Sequence, residues 1–270
     1  MFIAVQPMGG LGNLLYQHNC AYALAKKFNV GLTFVTDYVE TRPNVKEYQK
    51  LFQHVQMVTN VQKDTKRVQE KSFCHDPSFC LFESVPFIIQ GYFQSYKYSR
   101  HLRTEIRDLL CNNESEIITR MSKKIADIPG IPVCVHIRRG DYLQLSHFHT
   151  VLTELYYDQA IQHIPAHNST LLVFAEDTSE IKHWSVWTKA AASGHNVYFV
   201  DDVPSAIDTL FMMSLCRHFI VANSSLSLSA YELRMHDDSI LVAPSKWFGP
   251  CGPVFQIRDI VDETAILIDC

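Results

Sequence analysis

No continuous apolar run approaches the ~18 residues that a membrane-spanning helix needs, so no such helix is expected. Basic excess is missing too: 24 lysines and arginines stand against 28 acids in a chain of 270 residues. A polyanion-binding surface, and with it a nucleic-acid partner, is not expected. The eight cysteines form no C-x-x-C pair and have no histidines at zinc-finger spacing. They read as reduced, structural thiols, with a Cys74–Cys80 bridge open only in an oxidising compartment. The phosphate loop G-x-x-x-x-G-K-[ST] does not occur. The start MFIAVQPMGGLGN has no basic n-region, and Pro7 and the glycines break its apolar stretch early. It does not read as a signal peptide, and a cytoplasmic location is expected.

What the chain does have is apolar mass, 47% of its residues, enough for a sizeable core. In the second half, short apolar runs alternate with helical stretches. Strands are expected at 132–138, 171–175, 197–200, 218–222 and 240–243. Helices are expected near 150–164, 178–191, 204–216 and 226–235. Strands separated by helices of this length argue for βαβ units and a parallel sheet. Pro204, and Ser205 with Asp208 three residues on, are helix-start signals. The first half opens on a similar alternation, with a strand at 2–6, the turn GGLGN, a helix at 14–28 and a strand at 31–36. Residues 40–85 show little pattern. The stretch FIIQGYFQSYKY (87–98) reads as a strand and turn before a helix near 99–111. Residues 112–130 are read as the connection between an N-terminal lobe, 1–128, and a C-terminal lobe, 129–270. The expected architecture is α/β, with two Rossmann-like lobes, parallel sheets and a cleft between them.

The strand ends are the informative places, because an open parallel sheet binds ligands beyond its carboxyl ends. There the sequence reads HIRRGD, AEDTS, VDDVPS, ANSSLS and APSKW. Ser, Asp and Asn are ordinary helix caps, which accounts for EDTS and NSS but not for two adjacent arginines. Along an extended backbone His136 and Arg138 share one face, and Ile137 and Arg139 the other. One guanidinium can then meet a ligand while the other meets a carboxylate such as Asp141. Arg suits phosphate because its planar fork donates two hydrogen bonds and stays charged. Gly140 is read as permitting a sharp exit from the strand. Asn223, Ser224 and Ser225 lead a helix whose free N–H groups would suit a phosphate oxygen. Gly9, Gly10 and Gly12 form a second candidate anion loop. Asp37 after the next strand keeps a dinucleotide-dependent oxidoreductase open, although Leu15 stands where G-x-G-x-x-G needs its third glycine. A non-enzymatic glycan- or nucleotide-binding module is the other alternative. Asp201–Asp202 read as a cap with a ribose or base contact rather than as a metal site.

GGLGN near the start, GYFQSYKY, HIRRGDY and DTLFMMSLCRHFIVANSSLS together resemble the family-11 glycosyltransferases, the α-1,2-fucosyltransferases of bacteria and animals. The likeness is spread over residues 9–235, and HIRRGDY is its most specific part. The resemblance implies a GT-B architecture with the donor nucleotide in the C-terminal lobe. It implies a GDP-sugar donor, usually GDP-fucose, inversion at the anomeric carbon, a glycan or glycoconjugate acceptor, and neither a metal nor another cofactor. Carried onto this sequence, Arg138 would hold the β-phosphate, His136 would face the nucleotide, and Ser224 and Ser225 would add phosphate contacts. Asp177, or its neighbour Glu176, would read the guanine amino edge. Gly10, Gly12 and Asn13 would close over the sugar–phosphate. Asp141 is the candidate base, with His18, Asp37 and Glu40 as others. Two departures stand out. NSSLSLSAYE replaces the family's aromatic NSSFSWW, and GGLGNLLYQHN replaces GGLGNQLFQYA. Either could change the donor sugar or the acceptor. The missing anchor likens the chain to the soluble bacterial or viral branch.

Overall fold

The computed structural model describes residues 1–36, 48–59, 61, 62, 64–81 and 85–270. The chain divides into two compact units, Met1–Ser115 with Val254–Ile260, and Glu116–Pro253 with Val261–Cys270. Asp37 and Glu40 lie outside the described residues. Among the described residues, no helix is long and apolar enough to cross a membrane.

The first unit holds β1 (Phe2–Val5), α1 (Leu11–Phe28), β2 (Gly31–Val35), β3 (Gln56–Val58), β4 (Lys66–Gln69), β5 (Phe87–Gln90) and α2 (Arg103–Asn113). Its sheet runs β3-β2-β1-β5-β4, and every pairing is parallel. Ile3, Ala4, Val5 and Ile88 are fully buried, as expected of strands covered on both faces. The helix after GGLGN begins at Leu11, three residues earlier than expected, so Gly12 and Asn13 lie in its first turn.

The second unit begins with α3 (Ser115–Ala126), which occupies the stretch read as a connection. Its Met121 is buried, and its Arg120 and Lys124 pair with Asp208 and Asp202. Then follow β6 (Ile131–His136), α4 (Gly140–Gln144), α5 (Glu154–Ile161), β7 (Ser169–Phe174), α6 (Ser185–Ala192), β8 (Asn196–Phe199), α7 (Ala206–Ser214), β9 (His218–Ile220), α8 (Ser225–Glu232) and β10 (Leu241–Pro244). After α9 (Ile257–Ile260), β11 (Ile266–Ile268) completes a six-stranded sheet, ordered β11-β10-β9-β6-β7-β8 and again all parallel. The strand expectations for this half hold to within two residues at each boundary. Ser205 caps α7 as its spacing predicts, accepting from the Asp208 N–H at 3.2 Å while its hydroxyl donates to the Asp208 carboxylate at 2.5 Å.

In the second sheet the strand order reverses between β6 and β9; in the first, β1 and β5 are neighbours through a crossover without such a reversal. At that reversal, the chains leaving β6 and β9 depart to opposite sides, and a crevice opens beyond the carboxyl ends. These adjacencies seat the sequence motifs in pairs. GGLGN follows β1 and GYFQSY follows β5; HIRRGD follows β6 and NSS follows β9.

Candidate active site

At the carboxyl ends of β6, β7 and β8 the second unit encloses a cavity of about 440 Å³. His136 and Arg138 line it together with Glu176, Asp177, Thr178, Asp201 and Leu226. Ile137 and Arg139 line a separate cavity of about 50 Å³, with Gly140, Glu180 and Ile181. The alternation of faces along the extended segment is therefore kept beyond the strand. The Ile137 N–H still donates to the Phe174 carbonyl at 2.8 Å, which prolongs the pairing with β7.

Arg138 is held from three sides. One guanidinium nitrogen donates to Asp141 Oδ1 at 2.7 Å and the other to Glu176 Oε1. The guanidinium carbon lies 5.3 Å from the centre of the Tyr142 ring, within cation–π range. The Tyr142 ring in turn stacks on His149, 4.0 Å away and 3° from parallel. Asp141 thus pairs with Arg138, not with Arg139 as the alternation had suggested. Arg139 faces Glu180 at 3.8 Å and the Trp184 ring at 5.5 Å. The reason is local: Asp141 lies in the first turn of α4, three residues beyond Arg138.

His136 is 6% exposed, and its Nδ1 has no hydrogen-bond partner. Burial, reinforced by the charge of Arg138, lowers its pKa to about 3. A neutral imidazole can donate one hydrogen bond and accept another, which suits a hydroxyl or phosphate oxygen in the cavity. Asp177 caps a short 3-10 turn, accepting from the Ser179 N–H at 2.9 Å and its hydroxyl at 2.6 Å. Those bonds hold its carboxyl below the usual range. The paired acids at the end of β8 each meet a lysine: Asp201 accepts from Lys182 at 2.7 Å, and Asp202 from Lys124 at 2.5 Å.

The NSS element divides its tasks. Asn223 is 1% exposed, and its amide donates to the carbonyls of Thr150 (2.9 Å) and Trp247 (2.8 Å). Its backbone carbonyl accepts from the Tyr142 hydroxyl at 3.1 Å, which ties this motif to HIRRGDY. Asn223 therefore braces loops rather than lining the cavity. Asn223→Ala will strand two buried carbonyls and cost about 2–4 kcal/mol, read as a lower urea midpoint. Ser224 stands at the N-cap of α8, but its hydroxyl makes no capping bond. Ser225 opens the helix, and Leu226 reaches the cavity wall.

Two tyrosines that the motifs did not single out hold this crevice from below. In α5, Tyr157 donates to the His136 carbonyl at 3.2 Å and Tyr156 to the Val221 carbonyl at 2.6 Å. Each satisfies a buried carbonyl where a strand ends. Only the adjacent tyrosine pair on the buried face of this helix could have signalled it.

In the first unit, Gly9 has φ +74°, and a Cβ there would collide with the Asn13 amide. Asn13 Oδ1 accepts from Gln94 Nε2 at 2.5 Å, so GGLGN and GYFQSY touch. Gln17 pins the loop from within α1, accepting from the Met8 N–H at 3.0 Å and donating to the Met8 carbonyl at 2.8 Å. Gly10 opens on free space. His18 is fully buried and bonded to His54, so it offers no accessible base.

Comparison with known proteins bears on the family and the fold. The O-antigen biosynthesis glycosyltransferase WbnK of Escherichia coli is 35% identical over 147 residues, 52% of this chain but 45% of WbnK. The chain thus spans less than half the length of that relative. An alpha-1,2-colitosyltransferase of Escherichia coli is 24% identical over 274 residues, 89% of this chain and 90% of that protein. The crystal structure of the fucosyltransferase NodZ from Bradyrhizobium overlays with a TM-score of 0.50 at 13% identity, covering 86% of this chain and 93% of NodZ. That likeness bears on fold alone, an α/β fold with two parallel sheets of the GT-B kind. The model of glycosyl transferase family 11 matches residues 5–250, nearly the whole chain, and the chain belongs to that family.

Proposed function

We propose that this chain transfers a fucose-type deoxysugar from a GDP-sugar to a glycan hydroxyl, forming an α-1,2 linkage with inversion. The observation that carries the reading is Arg138 at the mouth of the 440 Å³ cavity, beside the reversal between β6 and β9. A nucleoside fits the cavity, and its diphosphate would meet Arg138, His136 and the uncapped start of α8. An acid-rich wall, with Asp177 and Asp201, suits a base whose edge donates hydrogen bonds, as guanine does. Gly10, Gly12 and Asn13 are assigned to the sugar–phosphate. The α-1,2 linkage follows the activity for which the colitosyltransferase relative is named.

In the reaction, the bond from the anomeric carbon to the β-phosphate oxygen breaks and its electron pair stays on GDP. The acceptor oxygen forms the new bond from the opposite face, and its proton passes to a base. Asp141, about half exposed beside Arg138, is the carboxylate assigned to that proton. Calorimetric titration with GDP, UDP and NAD, followed by transfer assays with the matching sugar nucleotide, tests the reading. GDP alone should bind in the micromolar range, and GDP-fucose should yield a glycosylated acceptor. Binding of NAD without GDP would overturn the proposal.

A further inference from the structure

In the unliganded protein Arg138 is already neutralised twice over. It sits between Asp141 and Glu176, so the three side chains together carry one net negative charge. A diphosphate entering the cavity therefore meets two carboxylates competing for the guanidinium it needs. Asp141 is tied to Arg138 by sequence, three residues along the same turn. Glu176 arrives from a different strand, two residues past the Phe174 that pairs with His136.

Gly140 explains how it arrives. A Cβ at Gly140 would fall on the Glu176 carboxylate. The glycine's backbone is not in the left-handed region. Its part is thus to leave space, not to turn the chain sharply as the sequence suggests. Glu176 also borders the small cavity on the other side of the segment, where Arg139 stands. The Arg139 Nε there is buried and has no hydrogen-bond partner. Glu176 is thus bonded to one arginine and lines a small cavity with the other, whose Nε faces Glu180 only at 3.8 Å.

We propose that Glu176 is the counter-ion that Arg138 gives up when a nucleoside diphosphate binds, its carboxylate turning toward Arg139. This rests on the reading of Arg138 as the diphosphate ligand. Glu176 then sets the affinity for the phosphates and takes no part in reading the base.

Calorimetry with GDP and with guanosine on Glu176→Gln and Gly140→Ala tests this. The first variant removes the competing charge without changing shape. The second fills the space that the carboxylate needs at Arg138. Both should bind GDP about fivefold more tightly, the scale of one partly exposed ion pair, with guanosine affinity unchanged. Unchanged or weaker GDP binding in both variants would overturn the proposal, as would a parallel loss of guanosine affinity. Arg138→Ala separates the two levels. If it leaves GDP affinity intact, the underlying reading of Arg138 fails; if GDP weakens there yet neither other variant tightens it, only the role of Glu176 fails.

Discussion

Arg138→Ala will lower the transfer rate at least ~100-fold, the scale on which one preorganised donor aimed at developing charge acts. The departing diphosphate gains negative charge as its bond to the anomeric carbon breaks. A guanidinium fixed beforehand meets that charge without reorganising. Arg138 is fixed in this way by Asp141, by Glu176 and by the Tyr142 ring stacked on His149. Arg138→Lys should recover only part of the rate, since an ammonium lacks the planar fork. Neither variant should lose more than about 1 kcal/mol of stability in urea unfolding, because the ion pairs removed are partly exposed. Initial rates with GDP-fucose and a saturating acceptor are the measurement. A variant rate near that of the unaltered protein would remove Arg138 from the chemistry.

Acid will destabilise the fold well before its carboxylates titrate. Two buried histidines, His18 and His136, have pKa values lowered from 6.5 to about 3, in both cases chiefly by burial. In the first unit the hydrogen bonds fix the tautomers. The Asn113 amide donates to the Leu51 carbonyl (2.7 Å) and to His54 Nδ1 (3.1 Å). His54 must then carry its proton on Nε2, from which it donates to His18 Nε2 at 2.7 Å. His18 in turn donates from Nδ1 to Asn19 Oδ1 at 2.9 Å. No ring nitrogen in this relay can accept a further proton without breaking a bond. Below pH 6.5 the unfolded chain takes up protons that the folded one refuses, so the unfolding free energy falls as pH drops. The loss continues until the folded histidines titrate near pH 3. The two residues together should cost about 4 kcal/mol between pH 7 and pH 5. His54, His195 and His218 are shifted in the same direction and add to the slope. Urea unfolding at pH 7, 6 and 5 measures it, and a flat profile would contradict the neutral, buried pair. His18→Phe should remove its share of the slope.

Much of the second unit was legible in the sequence because strand burial and helix caps are local signals. The five expected strands, the Ser205–Asp208 cap and the opposite faces of Arg138 and Arg139 all follow from period and spacing. What could not be read is what waits across the sheet. The parallel register His136↔Phe174 places Glu176 level with Arg138, and nothing near either residue announces that. Asn223 looked like a phosphate contact because hydroxyl and amide groups after a strand suit both roles. The loops around Thr150 and Trp247, more than twenty residues away on either side, decide for bracing. The first sheet was harder. β3 and β4 are short and at most half-buried, so they carry little hydrophobic pattern. α3 buries little beyond Met121 and reads as a connection for the same reason.

The most direct measurement is a crystal structure of the chain grown with GDP. The diphosphate should lie within hydrogen-bond distance of Arg138, the base in the cavity lined by Asp177, and the Glu176 carboxylate should have left Arg138. GDP bound elsewhere, with Arg138 still locked between Glu176 and Asp141, would contradict the assignment of this cavity to the donor.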